Sequence, residues 1–208
     1  MAGSMVTDRH LVIMAKAPRL GRVKTRLAAG IGPVAAWAFY RLTLARTTRR
    51  LARDRRWSTW LCVAPDRAVA ERVWWPANVA IIGQGPGDLG ARMQRVFERL
   101  SPGPVVIVGA DIPGIRAAHI ADAFHKLGRD DAVFGPAPDG GYWLIGLKRR
   151  PTTPAPFPNV RWSTEHALED TLKNLAGRRV GFIDTLDDVD DQAAYERWAG
   201  RRRGVFPV

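Results

Sequence analysis

Short apolar runs, bounded by glycine, proline or aspartate, recur along the chain with longer segments of helical period between them. HLVIMA (10–15), STWLCVA (58–64), VAII (79–82), PVVIVGAD (104–111), DAVFGPA (131–137), GYWLIGL (141–147) and RVGFIDTL (179–186) are rich in β-branched and aromatic residues, and predict strands. The segments 33–54, 88–100, 115–127, 164–176 and 191–199 predict helices. The clearest is 88–100, where Asp88 suits an N-cap and Leu89, Met93, Val96, Phe97 and Leu100 make one stripe. In 164–176, Leu168, Leu172 and Leu175 share a face.

Strand–helix alternation over this length predicts one α/β domain, a Rossmann-like three-layer sandwich with a mostly parallel sheet and helices on both faces. GYWLIGL breaks that rhythm. It follows its predecessor through a Gly-Gly turn with no room for a crossover helix, so the sheet is expected to hold an antiparallel element near 139–147. The basic, proline-rich segment 148–160 predicts a mobile loop or lid. The domain is expected to span 10–199, with 1–9 a disordered or added segment and 200–208 a basic tail.

Composition narrows the partners. The chain has 208 residues, 46% of them hydrophobic, enough for one substantial core. Lys and Arg number 32 against 20 acidic residues, and the resulting charge of +12 implies anionic partners such as phosphates or nucleotides. The lone Cys62 excludes a disulfide framework or a Cys-rich zinc site, which places the chain in the cytoplasm. No apolar stretch approaches the ~20 residues of a membrane span. Nothing here fixes an oligomeric state.

Three stretches compete for a ligand at the carboxyl ends of the strands. AKAPRLGRVKTRLA (15–28) carries five cations, Lys16, Arg19, Arg22, Lys24 and Arg26. It is no P-loop, because Val23 stands where a glycine is needed before the Lys24-Thr25 pair. Clustered cations can still clamp phosphate. Gly85, Gly87 and Gly90 fit G-x-G-x-x-G, but Asp88 puts a negative charge at the helix N-terminus where a dinucleotide's pyrophosphate should sit. Turn and cap glycines are the plainer reading. Asp111 ends an apolar strand, and LDDVDD (186–191) follows the last one. Oxygen ligands on separate strand ends suit Mg²⁺ or Mn²⁺ bridging nucleotide phosphates. The Arg-rich segment 41–56, with Trp57 and Trp60, also permits an RNA-binding reading, weakened because both tryptophans fall in a strand pattern.

The motifs KAPRLGRVKTRLA, GDLGARM, GADIPGI, GPAPDGGYWLIGL, VRWSTEHALEDT and DDVDDQAAY, in that order, resemble a small bacterial family of glycosyltransferase-like proteins. That family has the GT-A fold of the nucleotide-diphospho-sugar transferases, and some members are tied to arsenosugar or radical-SAM and selenium clusters. More distantly, the order is similar to the phosphoenolpyruvate and 2-phospholactate guanylyltransferases. The resemblance implies a metal-dependent glycosyltransferase using a nucleotide-diphospho-sugar donor and a small-molecule acceptor, with nucleotidyl transfer as the alternative. It implies phosphate binding by Lys16, Lys24, Thr25, Arg26 and Arg92, a catalytic part for Lys24, and metal ligation by Asp111, Asp188 and Asp190. On the acceptor side it implies Gly140, Gly141, Tyr142, Ser163, Thr164 and His166. Asp139 is either a base toward the acceptor or a partner of the Gly-Gly turn. The chain departs from the guanylyltransferase pattern at Asp191, where that pattern has threonine, and at Tyr142, where it has a smaller residue.

Overall fold

In the computed structural model, which describes residues 9–77, 79–150 and 152–203, seven strands form one sheet. They are β1 (His10–Lys16), β2 (Ser58–Ala64), β3 (Ala80–Gly83), β4 (Val105–Gly109), β5 (Ala132–Pro136), β6 (Tyr142–Leu147) and β7 (Val180–Phe182). Six helices accompany them: α1 (Thr25–Ile31), α2 (Pro33–Ala52), α3 (Leu89–Arg99), α4 (Ala117–Lys126), α5 (Ala167–Lys173) and α6 (Gln192–Arg203). Residues 1–8 and 204–208, most of the expected N-terminal segment and tail, lie outside the described residues, while 200–203 continue α6.

The strand order is β3-β2-β1-β4-β6-β5-β7. β1 pairs in parallel with both β2 and β4, and β6 runs antiparallel between β4 and β5. The expected antiparallel element is therefore β6. Because it is reversed, its first residue, Tyr142, lies opposite Pro136 at the same edge where β1 and β4 end. The order reverses between β1 and β4, and such a switch point opens a crevice outside the carboxyl ends of those strands.

Alternate strand residues face opposite sides. Leu11, Ile13, Leu61, Val63, Val106 and Val108 pack under α2 and α4, against Leu44, Leu51, Ile120 and Phe124. Val12, Cys62, Val105, Ile107, Phe134 and Ile145 pack against Met93, Val96 and Phe97 of α3, with Leu172 of α5 on the same layer. Complete burial of side chains such as Phe97 and Phe134 contributes roughly 1.5–3 kcal/mol each. Trp57 belongs to the first core, and Trp60 packs against the second. The aromatic pair that an RNA surface would need is thus absorbed in packing.

Four expectations are corrected. Thr25–Ile31, which lies outside every predicted helix, is helical. The strand expected over 179–186 is regular only at Val180–Phe182, although the N–H groups of Ile183 and Leu186 still donate to Phe134 and Pro136. The helix expected from 164 begins at Ala167, because Ser163 takes a positive φ of 62° and Thr164 bonds back to the Arg161 carbonyl. The expected lid, whose residue 151 lies outside the described residues, is anchored at two points: Phe157 is buried, and Arg149 donates to the carbonyls of Phe97, Leu100, Ser101 and Gly103. Those carbonyls include ones that the end of α3 leaves unpaired.

Candidate active site

The crevice floor is held by groups that link strand ends. The Lys16 N–H donates to the Tyr40 hydroxyl at 2.9 Å, and that hydroxyl donates to the Lys16 carbonyl at 3.0 Å. Gln84, buried after β3, donates through Nε2 to the carbonyls of Ala15 and Cys62 at 3.1 and 3.0 Å. Its Oε1 accepts from Arg92 Nη1 at 3.3 Å, and Arg92 Nε donates to the Gly87 carbonyl at 2.9 Å. Arg92 is thereby anchored with part of its guanidinium toward the crevice.

Lys24 is the pivot. Just ahead of α1 its backbone is left-handed, at φ 50° and ψ 47°, a conformation that costs a non-glycine residue about 1–2 kcal/mol. Its side chain is only 3% exposed, and Nζ lies 2.8 Å from Asp111, 3.2 Å from Asp190 and 4.0 Å from Asp188. Burial alone would lower the ammonium pKa, but Asp111, then Asp190 and Asp188, together raise it above its ordinary value. Asp188 is pushed up to about 6, by burial first and by Asp111, Asp190 and Asp139, against the pull of Lys24.

The acidic loop after β7 divides its carboxylates among separate tasks. Asp187 pairs with Arg197 at 3.2 Å, and Asp188 and Asp190 turn to Lys24. Val189 between them is buried with Leu27 and Phe39. Asp191 accepts from the Ala194 N–H at 2.8 Å and so caps α6, which gives the departure at that position a structural role.

Two cavities meet at Gly109 and Asp111. One, of about 490 Å³, is lined by Lys16, Lys24, Tyr40, Gln84, Arg92 and Asp190. It adjoins a basic hollow of about 590 Å³ formed by Lys16, Arg19, Arg22, Arg67 and Arg92. The other, of about 230 Å³, is lined by Asp139, Tyr142, Trp162, Ser163, Thr164 and Asp188. Leu89 also belongs to both walls that meet at Asp111.

The structure brings Lys16, Lys24, Arg92, Asp111, Asp139, Gly141, Tyr142, Ser163, Thr164, Asp188 and Asp190 to these cavities. It leaves four predicted residues, Thr25, Arg26, Gly140 and His166, outside. Thr25 is exposed in the first turn of α1. Arg26 points to Asp190 at 3.3 Å with its side chain 77% exposed. His166 sits at the start of α5 between Glu165 and Glu169, because the helix begins three residues later than expected. Gly140 acts through the backbone. Its φ is 82°, its carbonyl accepts from Leu168 N–H, and an added Cβ would come 2.1 Å from the Glu165 carbonyl oxygen. Asp139 accepts from Gly141 N–H at 2.9 Å, so the turn does occupy one of its oxygens. Tyr142 bonds Thr171, while Trp143 is buried and donates to the Asp184 carbonyl.

The G-x-G-x-x-G run is structural. Asp88 accepts from Ala91 N–H and closes the α3 N-terminus, and a side chain on Gly90 would meet Phe157 and Trp162 at 2.8 Å. Tyr40, Gln84 and Trp162 were missed as site residues. Their only sequence signal is a polar or aromatic residue beside a strand end or on a helix otherwise Ala- and Arg-rich.

Among the described residues, no group of three His, Cys, Asp or Glu side chains is arranged to hold a metal ion. Asp111 and Asp188 nevertheless fit a hard cation held by one or two carboxylates with phosphate and water oxygens completing its shell. Asp190 fits less well, since Lys24 and Arg26 already neutralise it.

A mixed seven-stranded sheet in this order, with a cleft at its carboxyl edge, defines the nucleotide-diphospho-sugar transferase fold. Within that class the chain belongs to the DUF2064 family, described as an uncharacterized protein conserved in bacteria, whose model matches residues 47–164. No curated protein matches the chain. A candidate nucleotide-diphospho-sugar transferase from Desulfovibrio desulfuricans G20 is 28% identical, with a TM-score of 0.83 over 89% of this chain and 83% of that one. The inositol-1-phosphate CTP transferase from T. maritima is 14% identical, with a TM-score of 0.60 over 97% and 99% of the two chains. Rv0371c from Mycobacterium tuberculosis H37Rv, in complex with manganese, is 14% identical, with a TM-score of 0.53 over 92% and 97%. The last two share the fold. No helix among the described residues is long and apolar enough to cross a membrane.

Proposed function

We propose that this chain is a transferase that moves a glycosyl group from a nucleotide-diphospho-sugar to a small-molecule acceptor. The observation that carries this reading is the junction at Asp111, where a cation-lined cavity meets an aromatic-lined one. In this reading Lys16, Lys24 and Arg92 hold the donor phosphates, and their charge stabilises the departing diphosphate. Tyr142, Trp162, Ser163 and Thr164 receive the acceptor. The free oxygen of Asp139 takes the acceptor's proton as its hydroxyl oxygen attacks the sugar carbon and the bond to the nucleotide breaks. Mg²⁺ or Mn²⁺ on Asp111 and Asp188 would supply further neutralisation of the diphosphate. An uncovered aromatic wall fits an acceptor with an apolar or ring portion.

One observation favours a second reading, nucleotidyl transfer with pyrophosphate leaving. The basic hollow beyond Lys16 offers Arg19, Arg22 and Arg67 to a longer polyphosphate. Nucleoside triphosphates and nucleotide sugars, each with Mg²⁺ or Mn²⁺, separate the two. A ligand at a hundred times its dissociation constant stabilises the protein by about 2.7 kcal/mol, visible as a thermal shift. Phosphorus NMR then identifies the product. Release of nucleoside diphosphate supports glycosyl transfer, and pyrophosphate supports the second reading. No metal-dependent shift with any of them refutes both.

A further inference from the structure

A second basic cavity lies away from the crevice, between α2, α6 and the loop after β4. It measures about 130 Å³ and is lined by Thr43, Arg46, Thr47, Arg50, Pro113 and Trp198. None of these residues lines the two cavities that meet at Asp111. We propose that this cavity is a binding site for a phosphoryl group, held by Arg46 and Arg50 and by the hydroxyl of Thr47.

Unsatisfied donors carry the inference. Thr47 is fully buried, and its hydroxyl has no hydrogen-bond partner, which is costly for a buried polar group. Thr48 is also without a partner but lies outside the cavity lining. Arg46 and Arg50 stand four residues apart on α2, a spacing at which like charges repel. Among the described residues neither has a carboxylate partner, and Arg50 has only a long bond, 3.4 Å, to the Pro113 carbonyl. Partial burial first, and then the positive charge of Arg116 beside it, hold the Arg50 guanidinium below its ordinary pKa. Asp187, in the hollow on the other side of Pro113 and Trp198, is taken by Arg197. The residues lining the cavity bring donors and positive charge but no carboxylate. A single water takes about 30 Å³, so the cavity admits a tetrahedral oxyanion. Two guanidiniums and a hydroxyl are the donor types that bind phosphate oxygens. Pro113 stands two residues after Asp111, so the site backs onto the loop that carries that carboxylate.

The test is a titration of the full chain, ¹⁵N-labelled at its tryptophan indoles, with inorganic phosphate at constant ionic strength. The Trp198 indole signal is assigned by Trp198→Phe. Phosphate also has a place beside Lys24, so Lys24→Met is titrated in parallel. A saturable shift of the Trp198 signal is expected in the wild type and in Lys24→Met. Arg46→Gln/Arg50→Gln should weaken it at least tenfold, and Thr47→Val, which keeps the shape of the side chain, at least threefold. Both arginines are exposed, so the double variant should keep its melting temperature without phosphate. Should it unfold, Thr47→Val decides alone. A Trp198 signal that does not move, or that moves with equal affinity in the variants, overturns the assignment. A simple phosphate monoester serves as the second arm: tighter binding than phosphate assigns the site to a phosphorylated small molecule, and weaker binding to free phosphate.

Discussion

Replacing Lys24 with methionine tests the centre of the site. Methionine keeps length and volume, and it inherits the same left-handed backbone, so the φ of 50° strains both proteins equally. The change removes one buried ammonium and leaves Asp111, Asp188 and Asp190 facing one another. Breaking a wholly buried ion pair costs about 3–5 kcal/mol, and an exposed one 0–1 kcal/mol. Here the cation is 3% exposed and the carboxylates 33–42%, which lets the acids rehydrate once it is gone. The expected cost is about 2 kcal/mol, lying between those limits. For a chain of this size that lowers the melting temperature by roughly 4–8 °C.

The same ammonium is assigned to the donor phosphates, so nucleotide affinity should fall at least tenfold, about 1.4 kcal/mol. Calorimetric melting reads the first effect, and isothermal titration of the nucleotide found in the thermal screen reads the second. An unchanged melting temperature would mean that the carboxylates do not depend on Lys24. Unchanged nucleotide affinity, in a folded variant, would remove Lys24 from the phosphate site and with it the proposed placement of the donor.

Three further outcomes are expected. Asp188 ionises unfavourably in the folded protein, a penalty present above its raised pKa of about 6 and lost as pH falls toward the ordinary 3.8. Asp188→Asn should therefore stabilise the protein at pH 7.5 by roughly 1 kcal/mol, after allowance for solvent screening of its exposed part, with the gain gone near pH 4 in denaturant melts. Gly140→Ala should lose at least about 3 kcal/mol, because the left-handed φ and the Glu165 carbonyl both oppose a side chain; a melting temperature within 2 °C of the wild type, on the order of experimental difference, would contradict this. Arg149→Met should lose about 2–3 kcal/mol by freeing the carbonyls of Phe97, Leu100, Ser101 and Gly103, and Arg149→Lys should recover little of it, since one ammonium cannot span four acceptors; both are read by urea denaturation.

The sheet was legible because each strand is a short apolar run with clear boundaries, and the reversal of β6 followed from the lack of chain for a crossover. The helix α1 was not legible: it is seven residues long, buries only Leu27, and starts at a lysine with positive φ, so neither period nor cap announces it. The candidate site was legible in outline, since Lys16 and Asp111 sit at strand ends and Lys24 in the basic segment that follows β1. Its pairings were not. Lys24 meets Asp190 across 166 residues, and no local pattern shows that Arg26 serves the same aspartate rather than a phosphate. His166 failed for a local reason instead, because a left-handed Ser163 delays the helix and turns the imidazole toward Glu165 and Glu169.

Charge placement in this chain departs from what stability alone favours. With +12 overall, the cheapest arrangement would spread twenty acidic residues over the basic surface. Three of them are instead gathered around one buried lysine, where burial first and the neighbouring carboxylates second push Asp188 up to about 6. Asp111, Asp188 and Asp190 share the buried Lys24, with Arg26 on Asp190 from outside, and Asp111 and Asp190 line the same cavity as Lys16 and Arg92. Carboxylates and cations lining one cavity are what a site needs to hold a cation and a polyphosphate together. Each of the two ligands would relieve the repulsion within one half of it. Stabilisation by Asp188→Asn together with loss of nucleotide binding would establish that this repulsion is retained for the ligands.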